Sequence, residues 1–149
     1  DVEVIGEDRL PTEAPASPRP VEVASARAEV NVPIGALAAH VYTECARIWN
    51  PVHTDIAVAK RAGLPDLILH GTATLALAVS RVLELEAGNE PERVCRIAGR
   101  FSAMVLMPSE IIVHILSRES TRDGDVVRFE VRNAEGKLAV QHGLVGLRA

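Results

Sequence analysis

The run His70-Gly71-Thr72 opens a long apolar segment and places a residue without bulk at the start of a helix. Free N–H groups and the positive end of the helix dipole point outward there, so such an end can hold a developing negative charge. A second polar cluster, Trp49-Asn50-Pro51-Val52-His53, precedes it. Taken alone, His53 reads as a histidine fixing the turn after Pro51, and Asn50 as a side chain holding loop backbone. Asp55 is most simply a helix N-cap. Glu44 lies one helical turn before Ile48, hence on the same face, and by itself reads as an exposed helix glutamate. His40, His114 and His142 fall in helix or strand patterns with no partner cluster, and no metal site is expected from them.

The elements that must position these residues follow from periodicity. The segment 67–86, LILHGTATLALAVSRVLELE, reads as a helix from Gly71 onward with only Thr74, Ser80, Arg81, Glu84 and Glu86 for a polar stripe. Such a helix is expected to be almost enclosed, and it is too short and too flanked by charge to span a membrane. Before it, 21–32 alternates as a strand ended by Pro33. Residues 36–48 read as a helix carrying Leu37, Val41, Cys45 and Ile48 at spacings of three and four, stopped by Trp49-Asn50-Pro51. A short helix then runs from the Asp55 cap through Ala62 and closes at Gly63. After Gly88 the period becomes two. Strands are expected at 94–105, 110–119, 125–132 and 138–148, with turn residues between them. Val127, Phe129 and Val131 oppose Arg128, Glu130 and Arg132, the pattern of a half-buried antiparallel meander. A sheet curled around one helix is the simplest α+β arrangement that buries so many faces.

Composition narrows the partners. A net charge of −4 argues against a basic nucleic-acid surface, and aromatics at 3% leave few stacking platforms. The proline-rich stretch 1–20, with Pro11, Pro15, Pro18 and Pro20, reads as an arm or linker before one domain over 21–149. A further domain would join there. Cys45 and Cys95, with no metal-ligand spacing, are expected as buried thiols in a reducing, cytoplasmic compartment. No signal peptide or lipidation motif is visible.

Residues 42–59 read YTECARIWNPVHTDIAVA and 68–72 read ILHGT. Together they resemble the MaoC-like dehydratases, the group that contains the (R)-specific enoyl-CoA hydratases. The frame of that family is an aromatic residue, a spacer, Gly-Asp-x-Asn-Pro-aliphatic-His, then alanine or serine six positions on. Tyr42, Trp49, Asn50, Pro51, Val52, His53 and Ala59 fall on it, and His70-Gly71 matches the second motif. The resemblance implies a hot-dog fold and a lyase of fatty acid metabolism, an enoyl-CoA hydratase or dehydratase. It implies His53 as general acid/base and the Gly71 N–H as oxyanion donor. Asn50, His70 and Thr72 are the implied substrate-facing residues.

One departure is plain. The family's catalytic aspartate falls on Ile48 and its preceding glycine on Arg47. Isoleucine cannot ionise, so Glu44 is the candidate substitute carboxylate. No cofactor is implied, because the acyl group travels on coenzyme A or an acyl carrier protein. Beyond that small-molecule thioester, the implied partner is a second copy in a homodimer or a second hot-dog domain. No nucleic-acid or membrane partner is expected. The alternative reading is a non-catalytic hot-dog subunit or half-domain that binds an acyl thioester or supports a catalytic partner.

Overall fold

Alternating valines and isoleucines on successive strands leave one sheet face apolar, and that face needs a cover. The computed structural model, which describes residues 26–149, supplies a single long helix for it. The chain runs β1 (Ala28–Ile34), α1 (Ala38–Ala46), a 3-10 turn (Pro51–His53), α2 (Ile56–Arg61) and α3 (Gly71–Glu86). A second 3-10 turn (Pro91–Arg93) leads into β2 (Val94–Phe101), β3 (Ser109–Thr121), β4 (Gly124–Asn133) and β5 (Leu138–Arg148). The strands form one antiparallel sheet in the order β1-β3-β4-β5-β2, with α3 packed on β3, β4 and β5. This is the hot-dog architecture. The proline-rich arm, 1–20, and the start of the first expected strand, 21–25, lie outside the described residues.

The core sits between α3 and the inner sheet face. Ile111, Val113 and Ile115 of β3, Val127, Phe129 and Val131 of β4, and Val140 and Val145 of β5 are fully buried. Each such side chain contributes roughly 1.5–3 kcal/mol. The helix answers with small residues. Ala73, Thr74, Ala78, Val79 and Val82 face inward, which lets its backbone lie close over Phe129 and the valines.

Three expectations are corrected. First, α3 is not almost enclosed: one sheet covers one side, while Thr72, Ala76, Ser80, Glu84 and Leu85 are exposed. Second, the apolar stripe of α1 points outward. Leu37 is 67% and Val41 62% exposed, whereas Ala39 and Thr43 are buried. Cys45 lies on that outer side, and Cys45 and Cys95 are both exposed free thiols rather than buried ones. Third, Pro33 lies inside β1, opposite Glu110, rather than ending the strand. A proline is tolerated because β1 is an edge strand with one side free of partners.

Gly143 of β5 pairs with Phe129, and a Cβ there would come within 2.6 Å of both the ring and the carbonyl oxygen of Phe129. Backbone cannot yield as a flexible side chain does. Gly143→Ala should therefore destabilise by at least about 1–3 kcal/mol, seen as a lower urea midpoint with an unchanged m-value.

Candidate active site

The local fold of 43–71 follows from caps and turns. Helix α1 ends because Arg47 enters the left-handed region at φ 56°, and the Ile48 N–H then bonds back to the Thr43 carbonyl at 3.2 Å. Asn50 caps the next turn, its side chain accepting from the Val52 N–H at 3.4 Å. Asp55 caps α2, accepting from the Ala57 and Val58 N–H groups at 2.8 and 3.1 Å. These turns carry His53 back over the start of α3.

There two imidazoles stack. The rings of His53 and His70 lie 3.7 Å apart between centroids at 24°. His53 Nδ1 donates to the Ile68 carbonyl at 2.9 Å. A carbonyl can only accept, so Nδ1 carries the proton of the neutral ring and Nε2 is the basic nitrogen. His70 is only 3% exposed, and its Nε2 lies 3.3 Å from Thr43 Oγ1, with the Tyr42 ring tilted against it at 5.0 Å. Its Nδ1 is buried short of a full hydrogen bond among the described residues. Burial holds the His70 imidazole below its ordinary value, the charge that His53 can carry lowers it further, and the Ile48 backbone carbonyl pulls partly back.

His70 is also the residue before α3, and no side chain caps that helix. Its first N–H groups have no intrahelical acceptor. Gly71 and His53 line one cavity of about 210 Å³, together with Ile68, Thr74, Phe101 and Met104. A basic imidazole nitrogen and an open helix N-terminus thus share one small, mostly apolar space. That pairing suits abstraction of a proton beside a developing oxyanion.

The other expected residues fall outside this cavity's lining. Asn50 is exposed and engaged in its cap. Thr72 is exposed and lines a separate groove. Glu44 is exposed, with no hydrogen bond or ion pair among the described residues. Ile48 is 42% exposed. Sequence reading missed Thr43, Thr74 and Phe101. Phe101 is one of two phenylalanines in the chain, and scarcity was the only local signal.

A family model described as "MaoC like domain" matches residues 23–137. The chain is 33% identical over 100 residues to enoyl-CoA hydratase 2, peroxisomal, of Arabidopsis thaliana, covering 67% of this chain and 31% of that protein. Among solved structures it resembles the full-length peroxisomal multifunctional enzyme type 2 from Drosophila melanogaster, with a TM-score of 0.79 and 27% identity. That match covers 95% of this chain and 25% of the fly chain. The (R)-hydratase from A. caviae involved in PHA biosynthesis shares the fold at a TM-score of 0.71 and 21% identity, over 86% and 96% of the two chains. The chain spans less than a third of the plant relative's length.

Two stability predictions follow from this geometry. A non-glycine residue in the left-handed region costs roughly 1–2 kcal/mol, so Arg47→Gly should stabilise by about 1 kcal/mol and raise Tm by a few degrees. For His70, the folded value lies below the unfolded value of about 6.5, so the unfolded chain binds the extra proton between the two. Stability should fall as pH drops through 6.5 toward the lowered folded value. His70→Gln should flatten that part of a Tm-against-pH curve.

Proposed function

The chain belongs to the MaoC-like dehydratase family, with its (R)-hydratases, and from that premise we propose that it adds water reversibly to enoyl thioesters. One observation carries the reading: His53 and the open N-terminus of α3 line the same cavity. In the forward direction water oxygen bonds to the β-carbon while His53 Nε2 takes the water proton. The double-bond electrons move onto the thioester oxygen, and the resulting enolate is held by the Gly71 N–H and the helix dipole. The proton then returns to the α-carbon from the His53 imidazolium, which restores the neutral ring. The acyl group arrives on coenzyme A or an acyl carrier protein, and a reducing compartment such as the cytoplasm keeps the exposed thiols free.

His53→Ala should lower turnover of a short enoyl-CoA by about two to four orders of magnitude. The fold should survive, because the ring lines a cleft rather than the core. Undiminished activity in a folded variant would remove His53 from the mechanism.

The missing aspartate gives a sharper test. Ile48 is 42% exposed, and its carbonyl lies against the His70 ring. A carboxylate there would be solvated rather than buried, so the desolvation cost is small. The double variant Arg47→Gly, Ile48→Asp should raise hydratase turnover. If Glu44 already supplies the carboxylate, Glu44→Gln should abolish most activity and the double variant should add little. Folded but inactive parent and variants, across several chain lengths, would sink the hydratase reading.

A second reading, a subunit that supports a catalytic partner, is favoured by the exposed apolar surface. Leu37, Val41 and Trp49 stand 62–67% exposed on or beside α1, and the edge strand β2 presents half-exposed Ile97 and Phe101. Such surfaces are commonly covered by a partner. Light scattering should find at least a dimer in dilute solution, and a clean monomer would count against pairing.

A further inference from the structure

A base held at one point needs two things fixed: which nitrogen meets the substrate, and the plane in which the ring lies. The 2.9 Å bond from His53 Nδ1 to the Ile68 carbonyl fixes the first, because a half-turn of the ring would set carbon against that oxygen. One bond to one edge leaves the plane free to tilt. His70 supplies the missing constraint, its ring stacked on His53 at 3.7 Å and 24°. That platform is buried and is itself held from several sides. Thr43 Oγ1 lies 3.3 Å from its Nε2, and the Tyr42 ring tilts against it. Its carbonyl accepts from the N–H and the hydroxyl of Thr74 at 3.0 and 3.2 Å. His70 does not line the cavity that His53 shares with Gly71, so it does not take the substrate-facing place that the motif implies.

Resting on the hydratase reading, we propose that His70 is a positioning residue, a buried neutral platform that fixes the plane of the His53 ring and so keeps Nε2 presented to the cavity. Neutrality is part of the role, because a cation in the stack would oppose the charge that His53 gains when it takes the water proton. The groups that face His70 suit a neutral ring: Tyr42 and Thr43 of α1, the Ile48 carbonyl, His53, and Thr74 of α3. None of these is a carboxylate, which would favour the charged form.

Nitrogen-15 NMR of the ring nitrogens in the full chain tests this without turnover, since it distinguishes the two neutral tautomers from each other and from imidazolium. The parent should show His53 as a single Nδ1–H tautomer above its titration. His70 should stay neutral as the pH falls through the ordinary imidazole value of about 6.5. His70→Leu fills the space but offers neither a flat face nor a bond to Thr43. In it the His53 signals should move to tautomer-averaged values as the Ile68 bond opens. Kinetics on trans-2-butenoyl-CoA gives the functional side. His70→Leu should lower kcat about ten- to hundredfold while KM changes less than about threefold, as for a group that orients the base and does not touch substrate. A single His53 tautomer in folded His70→Leu overturns the assignment, as does a raised KM with unchanged kcat, or titration of His70 at or above its ordinary value. Should the parent turn nothing over, averaged His53 signals in the variant still support the platform while the hydratase reading fails. Should His70→Leu not fold, His70→Met and His70→Ala carry the same comparison, and loss of the fold in all three overturns the proposal by making His70 a residue of the core.

Discussion

One buried imidazole joins the site to the scaffold. His70 precedes α3, bonds Thr43 of α1, touches Tyr42 and stacks on His53. Segments far apart in sequence meet on that ring, and two further bonds hold the His53 turn in place, His53 Nδ1 to the Ile68 carbonyl and His40 Nε2 to the Thr54 carbonyl. Burial favours the neutral form of such a ring. Neutrality is also what the proposed base needs, since a fixed cation stacked at 3.7 Å would oppose the imidazolium that His53 must become. The desolvation that weakens the fold in acid therefore serves the proposed chemistry.

The parts of the fold that were legible are those where burial and periodicity agree. On β3, β4 and β5 one face is core and the other solvent, so alternation located the strands closely and β5 to the residue. Helix α1 shows where this fails. Leu37 and Val41 recur as a buried stripe would, yet the inward side is Ala39 and Thr43, because a helix lying close over His70 needs small residues there. Periodicity reports that a face is apolar and not what covers it. The same holds for α3. Within the site, the two short motifs were legible because each is local. The stack, the Thr43 bond and the Phe101 contact were not, since they join residues 17 to 30 positions apart, which spacing rules for one element do not reach.

Positions 47 and 48 separate shape from chemistry. The left-handed conformation at 47 is the one glycine adopts without penalty, and Arg47 adopts it nonetheless. The bonds that follow, Ile48 N–H to the Thr43 carbonyl and Val52 N–H to the Asn50 side chain, close the turn. The turn is thus closed by backbone bonds and a cap, while position 48 carries a side chain that cannot ionise. Backbone geometry here is set by helix termination and capping, which tolerate a strained side chain. Proton transfer depends on one functional group, which isoleucine lacks.

The uncovered half of α3 then becomes informative. A single sheet reaches one side of a helix, so the other side meets solvent, a partner or a ligand. On α3 that side is not uniformly polar: Leu75 and Leu83 line a groove together with Ile97 of β2. Both leucines are partly buried against the core and so already contribute burial energy, while their outer surface stays open. The sheet face of α3 secures the fold, and its outer face stands partly open beside β2.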